Sequence, residues 1–308
     1  MNISVVIPLY NKKATVLRAL NSVFAQTIKP GEIIVVNDGS TDESGEIVSK
    51  LNHPLITFIN QDNGGVSAAR NRGISEAKYD WIAFLDADDE WTPEFIETII
   101  TLSVKYPQCS VLATAYRMQY PEKSKSILLS RVLIKTRDGI LTNYFQVASK
   151  SHPPIHTSSV VVKKTALQKI GGFPLGVKSG EDLLTWARLA INYQIGYCLT
   201  PYSIFRVGSS NEILQRSERT YQEDKVGPEL IKLLATVPES IKEDFKKYVS
   251  HWFRMKASSH LRMNNTGKIW INALKSLKYN PINLKVYAYL FVSVLPFRLK
   301  KSFLNKYN

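Results

Sequence analysis

The chain has 308 residues, which is long enough for one large α/β domain with an appendage, or for two domains. Its 44% hydrophobic and 21% charged residues are typical of a globular protein. The two cysteines, Cys109 and Cys198, are too few for a disulfide-stapled secreted scaffold, so the composition favours a reducing compartment.

The net charge of +14 is distributed unevenly along the chain. Residues 241–308 contain fourteen Lys and Arg residues against only Glu243 and Asp244, a balance of +12. The other 240 residues hold 26 basic and 24 acidic side chains and are nearly neutral. This division predicts two regions with different surroundings.

Two apolar stretches fall short of a targeting or membrane-spanning segment. The start, MNISVVIPLY, has no basic residues before its short apolar run, so no signal peptide is predicted. The stretch VYAYLFVSVLPF (286–297) has twelve residues including a proline, which is too short to cross a bilayer. We therefore expect a cytoplasmic protein, which the basic region could attach to the inner face of a membrane.

Apolar strands alternate with helices through the first 106 residues. Such alternation predicts a mostly parallel sheet covered by helices on both faces. The apolar periodicity predicts strands at 3–8, 32–40, 55–60 and 81–85, and helices at 14–26, 65–77 and 93–106.

The pattern changes after residue 109. We predict strands over 111–120 and 158–164 and a helix over 181–193. The charged segment 121–150 is expected to be an irregular excursion or flap, and the polar segment 200–228 a hinge or lid. Apolar residues at helical spacing beyond residue 241 predict that the basic region is mainly helical.

The stretch AFLDADDEW (83–91) places four acids in five positions directly after a buried strand. Asp86 and Asp88 are two residues apart, so in an open turn they point the same way and can share one divalent cation. A solvated acidic loop is the alternative. Asp38 also follows a strand, and ligands bind beyond the carboxyl ends of parallel strands, so we expect these acids to converge on one crevice.

Five motifs occur in a defined order: VIPLYN (6–11), VVNDGSTD (35–42), DNGGVSAARNRGI (62–74), FLDADD (84–89), and GGF, GED and W-x-R within 171–188. Together, over about residues 1–210, they closely resemble the family 2 inverting glycosyltransferases, which use nucleotide-sugar donors. The resemblance implies a GT-A fold, which is Rossmann-like with a mostly parallel central sheet. We expect this domain over 1–210, and a basic helical region over 211–308.

The resemblance also implies roles for residues of the donor site. Pro8 and Tyr10 belong to the turn after the first strand, where the tyrosine would stack on the donor base. Asp38 would accept a hydrogen bond from the base, typically uracil. Arg70 would face the nucleotide or its diphosphate, and Asp86 would hold the ribose or assist the metal.

A metal ligand and a base complete the implied site. Asp88 would ligate Mn²⁺ or Mg²⁺, and a fixed cation stabilises the charge that develops on a departing diphosphate. Asp182 would be the general base, because the acceptor hydroxyl must lose its proton as it attacks the sugar. The predicted reaction is therefore the transfer of a sugar from a nucleotide-sugar, for which we expect a UDP-sugar, to a hydroxyl of a glycan or lipid-linked glycan. The hydroxyl displaces the nucleotide directly.

The residues also permit other interpretations. Taken alone, Asp38 could cap the next helix, and Glu181 with Asp182 could be an acidic helix N-terminus. A sugar-1-phosphate nucleotidyltransferase is an alternative enzyme, although that class usually has a glycine-rich, arginine-bearing loop where this chain has PLYNKKA. A non-catalytic nucleotide-sugar-binding adaptor is another. A dehydrogenase is disfavoured because no G-x-G-x-x-G follows a strand.

One segment departs from the family pattern. After the helix predicted over 181–193, the family often has a segment Y-R-x-H-x-x-S, whose histidine can lie near the metal. This chain reads IFRVGSSN there, with Phe205 and Gly208 in the corresponding places. Either the ligand is absent, or Asn211 or a nearby group replaces it. We nominate no histidine as a ligand, and His152 and His156 could be on the acceptor side or structural.

The basic region mixes Trp, Tyr and Phe with Lys and Arg. It could lie on an anionic membrane surface, or pack on the α/β domain and leave a solvated basic face. Nucleic-acid binding is disfavoured. Acceptor choice is expected to depend on residues 120–160 and 200–230.

Overall fold

A computed structural model describes residues 1–120, 123–127, 129–207 and 223–296 of the chain. Its strands are β1 (Ile3–Leu9), β2 (Glu32–Asp38), β3 (Ile56–Gln61), β4 (Trp81–Phe84), β5 (Glu90–Trp91), β6 (Val111–Gln119), β7 (Ser124–Ser126), β8 (Asp138–Ile140), β9 (Val160–Lys163) and β10 (Ile195–Arg206).

The α-helices alternate with these strands and then continue alone at the C-terminal side. They are α1 (Val16–Phe24), α2 (Ser44–Ser49), α3 (Val66–Glu76), α4 (Phe95–Lys105), α5 (Tyr144–Lys150), α6 (Lys164–Lys169), α7 (Glu181–Asn192), α8 (Val226–Leu233), α9 (Glu239–Arg262), α10 (Thr266–Tyr279) and α11 (Leu284–Ser293).

The described strands form one mixed sheet in the order β3-β2-β1-β4-β9-β6-β10-β5, with β7 beside β6 and β8 beside β10. Strands β3, β2, β1 and β4 pair in parallel, and so do β6 and β10. Between these two sets, β9 is antiparallel to both of its neighbours. The predicted α/β fold is confirmed, with one reversed strand at its centre.

Helices cover both faces of the sheet, as the uninterrupted apolar strands predict. Val6 and Ile34 pack on one face, while Val5 and Ile33, one position earlier in each strand, pack on the other. Helices α1 and α4 cover the second face, whereas α3, α7 and α9 cover the first. All four of these strand residues are completely buried, so the strands are held rigidly from both sides.

The prediction of a hinge or lid over 200–228 is wrong for its first residues, because residues 200–206 belong to β10. Pro201 made this strand hard to recognise. The pairing of β10 with β6 shifts register on both sides of Pro201. Such an irregularity is where a strand tolerates a proline, which has no N–H to donate to the ladder.

The segment 121–150 is also more ordered than an irregular flap. It contains β7, β8 and α5. The Phe145 ring of α5 packs edge-on against Phe245 of α9, with ring centroids 4.9 Å apart. Helix α5 is thereby part of the hydrophobic core.

The C-terminal region is helical, as predicted. On α9, Phe245, Val249, Trp252 and Phe253 recur at helical spacing and join the same hydrophobic cluster as the sheet residues Val6 and Phe84. A domain boundary near residue 210 lies outside the described residues and stays a prediction. None of the helices in the described ranges is both long and apolar enough to cross a membrane.

Candidate active site

The predicted site residues lie at one edge of the sheet, where β1, β2 and β4 end. The register pairs Leu9 with Asn37 and Val6 with Phe84, so Tyr10, Asp38 and Asp86 follow at similar heights. Sequence reasoning therefore placed these residues at the correct edge. Helix α3 begins beside Asp38 and carries Arg70 to Asp86.

Asp38 fixes the loop that leads into α3. Its side chain is only 2% exposed, and Oδ1 accepts hydrogen bonds from Gln61 Nε2 (2.7 Å) and from the Gly64 backbone N–H (2.9 Å). Oδ2 accepts from the Gly65 N–H (2.8 Å). Both oxygens thus have donors within the protein. The predicted helix-capping alternative does not describe this residue, because its partners lie before α3 rather than α2.

The glycine of the N-D-G-S turn is required by the close approach of two loops. Gly39 has a φ of 69°, and a Cβ at this position would lie 2.9 Å from the Asn63 backbone nitrogen. The neighbouring loop after β1 is tied to the same turn, since Asn11 Oδ1 accepts a hydrogen bond from the Thr41 N–H (2.8 Å). Two strand ends are therefore fixed to one another.

Pro8 and Tyr10 differ in accessibility. Pro8 lies within β1, paired with Val36, and shapes the strand end. The Tyr10 side chain is 45% exposed at the crevice. An aromatic ring in this position is accessible for stacking, and its contact with a nucleotide base stays a prediction.

Arg70 is buried and is paired with two carboxylates. It is 3% exposed, and its Nη2 donates to Asp86 Oδ1 (2.8 Å) while its Nη1 donates to Glu181 Oε1 (3.0 Å). The guanidinium also lies over the Phe173 ring, 5.0 Å from its centroid. Burial alone would lower the pKa of Arg70, but the charges of Asp86 and Glu181 raise it well above its ordinary value. Arg70 therefore stays charged and joins α3, the acidic turn and α7.

Asp88 forms an ion pair that the sequence did not predict. Its Oδ2 accepts a hydrogen bond from Lys12 Nζ (2.7 Å), and its backbone carbonyl accepts one from Arg18 Nη2 (3.1 Å). Two residues further on, Glu90 binds both Arg206 and Arg18. Lys12, Arg18 and Arg206 thus supply positive charge to the acidic turn, where the sequence analysis predicted only a divalent cation.

Asp89 belongs to the interior of the turn. It is 1% exposed, its Oδ2 accepts from Ser158 Oγ (2.5 Å), and its Oδ1 accepts from the Arg206 N–H (3.0 Å). Burial raises the pKa of Asp89 well above its ordinary value, and the charges of Asp88 and Asp86 raise it further. Asp89 therefore orders the turn and connects it to β10.

His156 lies beside these acids although its sequence context gave no such signal. Three residues, Asp86, Asp89 and His156, each have one ligand atom within 4.8 Å of the other two. These three side chains form a group that could hold a metal ion. The ring is packed between Tyr116 and Phe205, with centroids 5.2 and 4.5 Å away, and its Nδ1 accepts from the Ser158 N–H. A structural role is thereby evident.

The crevice side chains fit a hard divalent cation. Asp86 and Asp88 are both partly exposed, and carboxylate oxygens are the ligands that Mg²⁺ and Mn²⁺ prefer. The third carboxylate, of Asp89, already has donors on both oxygens. Asp86 belongs both to this pair and to the group that it forms with Asp89 and His156, and the role of Asp88 as the metal ligand stays a prediction. The family histidine position, Gly208, and its substitute Asn211 lie outside the described residues.

Asp182 is the second residue of α7 and is half-buried, near Tyr116 and Tyr248. Its Oδ1 accepts from the Leu183 N–H (2.7 Å). Burial and the neighbouring charge of Glu181 raise the pKa of Asp182 to about 6. Its charge in turn raises the pKa of Tyr116 and Tyr248, although burial is the main cause for both. A carboxylate with this pKa can accept a proton near neutral pH.

Asp182 and the acidic turn both influence the pKa of His156. Burial lowers the pKa of His156, and the charges of Asp86 and Asp182 both oppose that shift. The ion pairs of Arg70 connect Asp86 with Glu181, the residue before Asp182. The structure thus links the helix that carries the predicted base to the acidic turn through Arg70, and it adds Lys12, Glu181 and His156 to the residues of the site.

The fold and the site together define a class of protein. Acidic side chains at the carboxyl ends of adjacent parallel strands form the kind of crevice in which α/β proteins bind nucleotides. Residues 4–169, more than half of the chain, match the model of Glycosyl transferase family 2. The chain belongs to this family, which confirms the resemblance found in the motifs.

Similar curated proteins are also glycosyltransferases by name. Glycosyltransferase GlyA of Streptococcus pneumoniae is 41% identical over 107 residues, covering 34% of this chain and 15% of that protein. An uncharacterized glycosyltransferase of Rickettsia felis is 32% identical over 195 residues, covering 63% of this chain and 31% of that protein. The chain thus spans less than a third of the length of these relatives.

A solved structure shares the fold over nearly the whole chain. Staphylococcus aureus TarS 1–349 in complex with UDP-GlcNAc aligns with a TM-score of 0.60, covering 90% of this chain and 91% of that one at 16% identity. The same protein in complex with UDP aligns with a TM-score of 0.56 at 17% identity. At these identities the alignment shows the fold alone, and it confirms the predicted GT-A-like architecture.

Proposed function

We propose that the protein is an inverting glycosyltransferase that transfers a sugar from a UDP-sugar to a hydroxyl of a glycan or lipid-linked glycan acceptor. The observation that carries the proposal is the link from Asp86 through Arg70 to Glu181, which positions Asp182 relative to the acidic turn. Membership of Glycosyl transferase family 2 and the UDP complexes of TarS support the choice of donor.

The nucleotide would bind across the ends of β1 and β2. Tyr10 provides an exposed ring for the base, and Pro8 fixes the direction in which the chain leaves β1. Asp38 shapes the facing loop and would accept a hydrogen bond from the base. Since Arg70 is buried between two carboxylates, we assign it to positioning Asp86 rather than to direct contact with the diphosphate.

Asp88, assisted by Asp86, would hold Mn²⁺ or Mg²⁺. When bound, such an ion stabilises the negative charge that develops on the leaving diphosphate. Lys12 Nζ lies 2.7 Å from Asp88, so the same lysine is close to the expected position of the diphosphate. It can balance the charge of this carboxylate when the donor is absent.

Asp182 would accept the proton of the acceptor hydroxyl. As that oxygen forms its bond with C1 of the sugar, the bond between C1 and the phosphate oxygen breaks, and the electron pair leaves with UDP. One displacement from the opposite side inverts the anomeric centre and needs no enzyme nucleophile. The pKa of about 6 leaves Asp182 ionised at neutral pH and able to receive the proton.

We also propose that the C-terminal helices attach the protein to an anionic membrane surface. Basic residues close to anionic lipid contribute roughly 1 kcal/mol each, and exposed apolar side chains can enter the interface. Several large apolar side chains in this region are exposed: Met263, Trp270, Ile271, Leu274, Ile282, Leu284, Phe291 and Val294. A peripheral position would bring the enzyme to a lipid-linked acceptor.

The proposal is tested by calorimetric titration of UDP with and without Mn²⁺. We expect Mn²⁺ to tighten UDP binding, and Asp88→Asn to remove that effect, weakening binding by at least about tenfold. The matched control is Asp80→Asn, because Asp80 is exposed at the opposite, amino end of β4. UDP affinity in Asp88→Asn that still responds fully to Mn²⁺ would refute the ligand role.

The products distinguish the alternative functions. A glycosyltransferase supplied with a UDP-sugar and acceptor releases UDP. A sugar-1-phosphate nucleotidyltransferase releases pyrophosphate from a nucleoside triphosphate and a sugar 1-phosphate. A non-catalytic adaptor binds UDP-sugar and forms neither product.

A further inference from the structure

A cavity of about 570 Å³ lies between α9 and the loop that follows α5. Its volume is within the range of sites that bind small molecules. The side chains that could bind such a ligand are basic or aromatic: Lys150, Tyr248, His251, Trp252 and Arg254.

The cavity is next to the proposed base. Leu183, which directly follows Asp182, forms part of its wall. Tyr248 Oη donates a hydrogen bond to the Leu183 carbonyl (3.3 Å), which holds the start of α7 against α9. A ligand in the cavity would thus lie beside the first turn of the helix that carries Asp182.

The cavity wall has a surplus of positive charge. Among the described residues, none of its lining side chains is acidic, and no ion pair includes Lys150 or Arg254. Arg254 Nη2 donates to His251 Nδ1 (2.6 Å). Burial lowers the pKa of His251 to about 4, and the charges of Arg254, Lys285 and Lys150 contribute to the shift.

The positive surface continues away from the cavity. A second groove of about 260 Å³ shares Arg254 and Met255 with it and extends to Arg262 and Lys285. Its described lining also contains no acidic side chain. A ligand that leaves the cavity in this direction meets further cations.

We propose that this cavity is the acceptor subsite, and that it takes an acceptor whose glycan carries a phosphate or diphosphate group. This inference rests on the proposed function, because it assigns the cavity beside Asp182 to the acceptor. Lys150 and Arg254 would bind the phosphate oxygens through charge-assisted hydrogen bonds. Tyr248 and Trp252 would offer apolar surface to the sugar rings. The phosphate could belong to the glycan itself or to its link with a lipid.

The test follows the His251 imidazole by NMR in protein labelled at histidine, without UDP or metal. Glucose 1-phosphate and geranyl diphosphate are titrated separately, with glucose as the uncharged comparison. We expect both phosphates to shift the His251 signals and glucose to leave them unchanged. Tighter binding of glucose 1-phosphate indicates a phosphate within the glycan, and tighter binding of geranyl diphosphate indicates a lipid diphosphate.

Lys150→Gln should weaken phosphate binding by about tenfold, because one charge-assisted hydrogen bond is lost. Arg254→Gln should have at least as large an effect. Lys278→Gln is the matched control, since Lys278 is exposed on α10 and does not line the cavity. Thermal unfolding of each variant verifies that it is folded.

Two results would overturn the inference: glucose and glucose 1-phosphate shift His251 equally, or Lys150→Gln and Lys278→Gln weaken binding equally. Failure of the proposed function has a different signature. In that case the wild-type protein does not bind UDP in the presence of Mn²⁺, whatever happens at His251.

Discussion

The crevice at the carboxyl ends of β1, β2 and β4 differs from the C-terminal helices in how charge is arranged. In the crevice, Arg70 is shared by Asp86 and Glu181, and Lys12 is paired with Asp88. Around α9 the basic side chains of the cavity have no acidic partner among the described residues. Mutually paired charges hold one another in position, whereas surplus charge attracts a ligand of the opposite sign.

The two regions also differ in apolar surface. Beneath the crevice, sheet residues such as Val6 and Phe84 are completely buried. On α10 and α11, Leu274 and Phe291 are largely exposed. We interpret the first region as a prearranged reaction site and the second as a surface that binds a partner.

The largest effect is expected from Asp182→Asn, which tests whether the prearranged region performs the chemistry. Removing a general base typically costs about 10²–10⁴-fold, so we expect the transfer rate to fall about a thousandfold. UDP binding should remain within about twofold of the wild type, because the proposed nucleotide contacts lie at the ends of β1 and β2 and not on α7. Initial rates of UDP release, with Asp80→Asn as the matched control, provide the measurement. Normal turnover by Asp182→Asn would show that the base is elsewhere.

Arg70→Met tests whether the charges of the crevice depend on one another. The substitution leaves Asp86 and Glu181 without their shared cation, which should lower the free energy of unfolding by about 3–5 kcal/mol. Arg72→Met is the control two positions away, where an exposed pair with Glu76 should contribute at most about 1 kcal/mol. Urea denaturation measures both values.

Adding Glu181→Gln to Arg70→Met should restore part of the lost stability, because one unpaired carboxylate is then removed. If Arg70→Met and Arg72→Met lower the free energy of unfolding equally, the charges of the crevice depend on one another no more than the exposed pair on the protein surface does.

The pH dependence of transfer sharpens the assignment of Asp182. Burial and Glu181 raise its pKa from 3.8 to about 6, so the carboxylate is protonated below that pH and cannot accept a proton. We expect kcat/KM to be level above about pH 6 and to fall about tenfold per pH unit below it. Rates measured at saturating Mn²⁺ and constant ionic strength test this expectation. A profile that stays level down to pH 4.5 would contradict it.

The smallest effect is expected from single changes in the C-terminal helices. Phe291→Ser should weaken binding to phosphatidylglycerol vesicles by about fivefold, through the loss of one inserted side chain. Val104→Ser is the control, because Val104 is exposed on α4 in the nearly neutral part of the chain. Vesicle sedimentation at low salt measures both. If the wild-type protein does not sediment with anionic vesicles, the membrane proposal fails.

The sequence predicted those parts of the fold that have strong local signals. Continuous apolar runs identified β1, β2 and β4, and the rule for parallel strands placed Asp38 and Asp86 at one edge. Strand β10 was missed because Pro201 and its polar neighbours interrupt the apolar pattern. The register shift that accommodates this proline is a property of the pairing with β6 and has no local signal.

The long-range partners of the site could not be predicted in the same way. Arg70 and Glu181 are separated by 111 positions, and Lys12 and Asp88 by 76. The local sequence pattern is the same for an exposed helical arginine and a buried one. Only the position of the neighbouring helix distinguishes them. His156 illustrates the same limit, since only the folded chain places its ring between Tyr116 and Phe205.

Gly180 gives the C-terminal helices a consequence for the chemistry of the crevice. It precedes α7 with a φ of 84°, and a Cβ there would lie only 2.5 Å from Cη2 of Trp252 on α9. The Trp252 indole therefore packs directly against the start of α7 and fixes the position of the turn that carries Asp182. A shortened chain that ended before α9 would keep every donor residue and still lose the alignment of its proton acceptor. A side chain at position 180 would consequently be opposed twice, by the positive φ and by the indole, and a smaller residue at position 252 would remove only the second of these costs.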